Sequence, residues 1–105
     1  QTLEIPPVIN VSRPVVIAPL GEQARNESIS LASRLRRENI HVLIAPAGRS
    51  MKSQLRYASS LRAEFAIILG DDELAKQLAV IRDMDHGTQR EIPYDTLLQT
   101  LQAIK

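Results

Sequence analysis

Three short aliphatic runs, "PVVIAPLG" (14–21), "IHVLIAP" (40–46) and "EFAIILG" (64–70), alternate with segments of helical period, and this alternation constrains the fold most. A run of about four to eight aliphatic, mostly β-branched residues closed by Pro or Gly reads as a strand buried on both faces. Such strands need cover on both sides, and the intervening segments can supply it. Residues 22–38 put Ala24, Ser28, Leu31, Ala32 and Leu35 at helical spacing, with Arg25, Glu27, Arg34, Arg36 and Arg37 on other faces, and the helix should end near Asn39. In the third run Phe65, Ile67 and Leu69 share one face and Ala66 and Ile68 the other. Strands alternating with helices imply right-handed crossovers and a parallel sheet covered on both sides.

The pattern changes after residue 70. "DDELAKQ" predicts a single helical turn with Asp71 as its cap. "LAVIRD" and "QREIP" flank "MDHGT", whose Asp85 and Gly87 supply turn chemistry, so two strands close the sheet with at least one antiparallel pairing. Residues 94–105 are helical, with Leu97, Leu98, Leu101 and Ile104 on one face. The first fourteen residues hold three of the six prolines and no helical period, which predicts a linker over residues 1–13 and one domain over 14–105.

Composition narrows the chemistry. With aromatics at 3% and hydrophobics at 44%, the core must be aliphatic. The absence of cysteine excludes disulfides, thiolate metal sites and cysteine nucleophiles, and together with the lack of a membrane span or signal-type start it points to the cytoplasm. The start at Gln1 leads us to expect a piece of a larger protein. A net charge of +1 says little, because what matters to a polyanion is where the charges sit.

They sit in "GRSMKSQLRYASSLR" (48–62), which has four basic side chains and no acid. As a helix it places Met51, Leu55, Ala58 and Leu61 on a buried side and Arg49, Lys52, Ser53 and Arg56 opposite. Surface helices usually interleave opposite charges, and here nothing offsets the bases. Arg49 and Ser50 stand at the helix start, where free N–H groups and the dipole favour an anion such as phosphate. A plain solvated face is the competing reading. Tyr57 is placed either to stack on a base or to pack at the core rim. Glu73 and Arg82 form a second candidate set, since a carboxylate accepts from base amino groups and an arginine stacks on or hydrogen-bonds an unstacked base, but their residue types and spacing favour the plain reading of an acid near a helix start and an arginine on an exposed edge-strand face. Catalysis finds no matching pattern: His41 and His86 lack partner motifs, "GDDE" lacks further ligands, and the lone glycine of "APLGEQARNE" makes no phosphate-cradling loop.

Taken in order, "VVIAPLGEQA", "GRSMKSQLRYA", "FAIILGDDEL" and the "VIRD...G" hairpin resemble the C-terminal anticodon-binding domain of class IIa aminoacyl-tRNA synthetases, in particular the histidyl type, from about Pro14 to Gln102. The Gly48-Arg49-Ser50 start followed by Lys52, Gln54, Leu55 and Tyr57-Ala58 carries the likeness, while Ser53 stands where the family has a second lysine. The resemblance implies an α/β fold, a three-layer α/β/α sandwich on a five-stranded mixed sheet. It also implies that Arg49, Ser50, Lys52, Gln54, Arg56, Tyr57, Glu73 and Arg82 contact the anticodon loop of tRNA(His). No cofactor is expected in this domain, since ATP and Mg would belong to a catalytic domain absent from the chain. That catalytic domain would be a partner in a homodimeric parent, with no membrane involved. The rival readings are the anticodon domain of a threonyl, prolyl or glycyl enzyme, a synthetase-derived regulatory or protein-interaction domain, and a flavodoxin-like small-molecule enzyme.

Overall fold

The computed structural model describes residues 13–46 and 48–104. Residues 1–12 of the expected linker lie outside that range. The aliphatic runs form β1 (Val15–Leu20), β2 (Val42–Ile44) and β3 (Phe65–Gly70), joined through α1 (Glu22–Arg37) and α2 (Met51–Ser60). A five-residue helix α3 (Asp71–Ala75) leads to β4 (Leu78–Asp83) and β5 (Gln89–Pro93), and a 3-10 turn (Tyr94–Thr96) opens α4 (Leu97–Ile104). The strands make one sheet in the order β2-β1-β3-β4-β5. The β1–β2 and β1–β3 pairs are parallel, and β3–β4 and β4–β5 are antiparallel.

Side-chain alternation along the strands separates two apolar clusters. Val15 and Ile17 of β1, with Phe65, Ile67 and Leu69 of β3, face Leu31, Ala32 and Leu35 of α1 and Leu97 and Leu101 of α4. Ile81 and Ile92 extend this cluster across the hairpin. The side chain of Ile104, expected on the same face of α4, is outside the described residues. On the other face Val16 meets Ala45, Ala58 and Ala63, with Leu43, Tyr57, Leu61 and Met84 packed around them. The result is the expected α/β/α sandwich, with two helices on one face of the mixed sheet and one on the other.

Three polar ties fix the margins. Asp71 does not cap its own helix, as the sequence had implied. Gly70 occupies the N-cap of α3, and the Asp71 carboxylate instead accepts a 2.8 Å hydrogen bond from Ala24 N–H in the first turn of α1. Gly21, at φ +122, permits this approach, since a Cβ there would collide with the carboxylate. Tyr94 donates its hydroxyl hydrogen to Glu27 and accepts from Arg34 Nη2 at 2.9 Å, so the 3-10 turn is pinned to α1. Burial, and then the bond to Glu27, push the Tyr94 phenol far above its ordinary value. Arg13, the last residue of the expected linker, makes a two-pronged bond to Asp85 at 2.7 and 3.0 Å and donates to the carbonyls of Arg62 and Ala63.

Candidate nucleic-acid interface

The single helix α2 packs over β1 and β3, and among the described residues no helix covers the same face of β4 and β5. Register settles which side chains occupy this uncovered half. Ile68 pairs with Val80, Ala66 with Arg82, Val80 with Glu91 and Arg82 with Gln89, so all of these project to the α2 side. Beside α2 they bound a cleft of about 480 Å³ lined by Leu20, Met51, Ile68, Glu73, Val80, Gln89, Arg90 and Glu91. Its floor is aliphatic and its rim charged. Ile68 is only 5% exposed, whereas Gln89, Arg90 and Glu91 stand in solvent. Glu73 reaches the cleft by folding back over Gly70, where any Cβ would strike its carboxylate. Arg82 is held beside the rim by a 2.9 Å bond from its Nη1 to Gln89 Oε1.

Helix α2 is turned from the expected orientation. Gln54 and Ala58 are its buried residues, while Met51 is 43% exposed and Leu55 half-buried. At 100° per residue, Met51 and Leu55 lie on the flank of the Gln54–Ala58 stripe, and Met51 faces the open half of the sheet. The expectation failed because it grouped residues by apolarity: the small Ala58 lets the helix approach β1 closely, and a glutamine could be buried once its amide found carbonyls. Tyr57, about 120° around the axis from Met51, is half-buried against the smaller apolar cluster, on the rim opposite the cleft.

The residues singled out from sequence therefore separate. Arg49, Ser50, Lys52 and Arg56 are exposed, and among the described residues none of the three cations has an acidic partner within ion-pair distance. Ser50 is the N-cap of α2, its Oγ accepting from Ser53 N–H at 3.1 Å. Arg49 also borders a second cleft of about 300 Å³, with Pro19, Leu20, Gly21, Glu22, Arg25 and Gly48. Glu73 lines the main cleft and Arg82 stands at its edge. Gln54 is not a surface contact: it is fully buried, and its Nε2 donates to Pro19 O at 2.8 Å and Arg49 O at 2.9 Å. Among the described residues its Oε1 has no hydrogen-bond partner.

Sequence reasoning missed Met51, Gln89, Arg90 and Glu91 as cleft residues. A signal was present in "QREIP", whose only aliphatic besides proline is Ile92. A strand with one buried position cannot be covered on both faces, so Gln89 and Glu91, out of phase with Ile92, mark the uncovered face of the sheet. Among the described residues no group of three or more His, Asp or Glu could hold a metal ion, and no helix is long and apolar enough to cross a membrane.

Residues 14–104 match the family model described as "Anticodon binding domain". The chain is 43% identical over 98 residues to a histidine–tRNA ligase of Dehalococcoides mccartyi, covering 93% of this chain and 23% of that protein. It is 39% identical over 103 residues to one of Bacillus velezensis, covering 98% and 24%. It thus spans about a quarter of the length of these relatives. Among solved structures, apo histidyl-tRNA synthetase of S. aureus superposes with a TM-score of 0.79 at 28% identity, over 91% of this chain and 28% of that one. The RNA binding domain of threonyl-tRNA synthetase from Cryptosporidium parvum shares the fold, with a TM-score of 0.76 at 16% identity over 87% and 23% of the two chains.

Proposed function

The chain belongs to the anticodon-binding domain family, and from that premise we propose that it reads the anticodon loop of tRNA(His) for a histidine–tRNA ligase. The observation that carries this reading is the aliphatic-floored cleft on the uncovered half of the mixed sheet, beside a helix whose bases have no acidic partner among the described residues. Single-stranded loops are recognised by splaying bases onto apolar or planar surfaces and reading their edges, while cations and helix-end N–H groups hold phosphates. Here the two functions occupy neighbouring surfaces. Glu73 and Glu91 can accept hydrogen bonds from base amino and imino groups, and Gln89, Arg90 and Arg82 add donors. Arg49, Lys52 and Arg56 form a face with cations and no carboxylate. Carboxylates line the cleft and not the α2 face, so a bound strand would lie with its bases toward β4 and β5 and its phosphates toward α2.

Nothing is chemically changed on this surface. In the whole protein, binding here would place the tRNA so that its distant acceptor end meets a catalytic domain outside this chain, where histidine, ATP and Mg would be used, in a parent that acts as a homodimer.

Titration of the chain with a histidine anticodon stem-loop and with one of scrambled anticodon, at two salt concentrations, tests this. We expect preference for the histidine anticodon and a log–log salt slope of roughly −0.7 per phosphate neutralised. Arg49→Glu should weaken binding and flatten that slope without altering the thermal transition. Absence of binding, or equal binding of both loops, would refute the proposal.

A further inference from the structure

Gln54 and Ser28 are the two buried polar residues among those described, and they differ in what they hold. The Ser28 hydroxyl donates to Arg25 O within its own helix, a local bond. The Gln54 amide joins two separate segments of chain. One Nε2 hydrogen goes to Pro19 O at the end of β1, thirty-five residues away, and the other to Arg49 O in the loop that precedes α2. The loop beyond is locked in turn: Ser50 O accepts from Gln54 N–H at 3.0 Å, and Ser50 Oγ from Ser53 N–H.

On the reading proposed above, we infer that Gln54 is a positioning residue for RNA binding, which clamps the Arg49-Ser50 loop to the end of β1 and so presents Arg49 at the smaller cleft, which adjoins the main one through Leu20. Arg49 and Leu20 make the argument geometric. Arg49 and Pro19, the two segments Gln54 joins, both border the smaller cleft, and Leu20, next to Pro19, borders both clefts. Without the clamp, nothing else among the described contacts fixes the Arg49 carbonyl, and with it the direction of the Arg49 side chain.

The test compares Gln54→Met, which keeps the length and removes the amide, with Gln54→Asn, which keeps the amide but falls one methylene short. Each is measured alone and with Arg49→Ala, using the histidine anticodon stem-loop as ligand. Both single variants should still unfold cooperatively, at a lowered midpoint because carbonyls lose their donor, and show faster hydrogen exchange at the Ser53 amide. Their affinity should fall roughly three- to tenfold. Their salt slope should become shallower, as in Arg49→Ala, because the loss runs through a cation. In the Arg49→Ala background neither should weaken binding further. An additive loss, or a lowered affinity with an unchanged slope, would mean that Gln54 contacts RNA itself. Unfolding of both variants, or unaltered Ser53 exchange, would make it a core residue alone. The exchange measurement needs no RNA, so it decides the clamp even if the parent chain fails to bind the stem-loop.

Discussion

The parallel and antiparallel halves of the sheet are built from the same strand geometry and serve different ends. In β1 and β3 both faces are covered, every residue but Leu20 is buried, and the sequence is aliphatic almost without interruption. In β4 and β5 only the α1–α4 face is covered, Ala79, Ile81 and Ile92 are the buried residues, and polar side chains return in Arg82, Asp83, Gln89, Arg90 and Glu91. One missing helix accounts for the difference. Two crossovers placed one helix on each side of the parallel strands, and the C-terminal helix joined α1 instead of completing the α2 layer. The uncovered half keeps an aliphatic floor without the demand to pack it, which leaves its rim free to carry Glu73, Gln89 and Glu91.

The largest effect that would sharpen this contrast lies under α2. Ala58→Asp puts a charge against Val16, Ala45 and Ala63 with no partner, and should cost about 4 kcal/mol or more, enough to abolish the cooperative urea transition. Leu55→Asp, on the half-buried flank, should cost no more than about 2 kcal/mol and leave a folded domain. Equal unfolding of the two would show that the Met51–Leu55 flank, and not the Gln54–Ala58 stripe, meets the sheet.

Next in size is a pair of truncations, one from each half. Ile17, fully buried in β1, should cost about 2–5 kcal/mol on change to Ala. Val80→Ala in the half-exposed floor of the cleft should cost less than about 1.5 kcal/mol. RNA affinity per folded molecule should rank them in reverse, since only Val80 borders the cleft. A Val80 variant with lowered stability and unchanged affinity would break the division between a half that folds and a half that binds.

A smaller loss is expected where the halves are tied. Asp71→Ala removes the acceptor for Ala24 N–H and should cost about 0.5–2 kcal/mol, as for a lost helix cap, although Asp71 is forty-seven residues from the helix it caps. Asp71→Asn, which still offers an oxygen, should recover most of that. If Asp71→Ala unfolds at the parental urea concentration, water satisfies the first turn of α1 equally well.

How much of this was legible depended on whether a residue's partner was near in sequence. The buried stripe of α1, the alternation in β3 and the Asp85–Gly87 hairpin turn all express local periods or local backbone needs, and they read directly. The place of the cap did not: "GDDE" announces an acidic helix start, but that Asp71 reaches over to α1 follows only once β1 and β3 lie side by side. Gln54 is the same case, a polar residue whose carbonyl partners lie at the end of β1 and in the loop before α2. The cleft was half legible. Glu73 and Arg82 came from family resemblance, whereas Met51, Gln89, Arg90 and Glu91 depend on the β4–β5 register and on which face lacks a helix, and neither is written in any one segment.

The smallest effect concerns the tip of the antiparallel half. At the β4–β5 turn, His86 Nδ1 lies 2.9 Å from Asp83 Oδ2, and Asp83 Oδ1 accepts from the backbone N–H groups of Asp85 and His86. The bond to Asp83 raises the His86 imidazole above its ordinary 6.5, and the reciprocal bond holds Asp83 below its ordinary 3.8. Asp85 is likewise lowered, by its bond to Arg13. For the raised His86, the stabilisation is complete below pH 6.5 and is lost as pH rises through the folded value. For the lowered carboxylates it is complete above pH 3.8 and is lost as pH falls through their folded values. The turn is therefore tightest in the mildly acidic window where both signs hold. His86 and Asp85 are exposed and Asp83 partly so, and solvent therefore screens the gain and global stability should barely register it. The readout is the His86 midpoint by NMR: above 6.5 in the parent chain and returned toward 6.5 in Asp83→Asn. A parental midpoint at or below the ordinary value would mean that the turn does not hold the imidazole against Asp83, and that the antiparallel half is looser at its tip than the register of Arg82 with Gln89 implies.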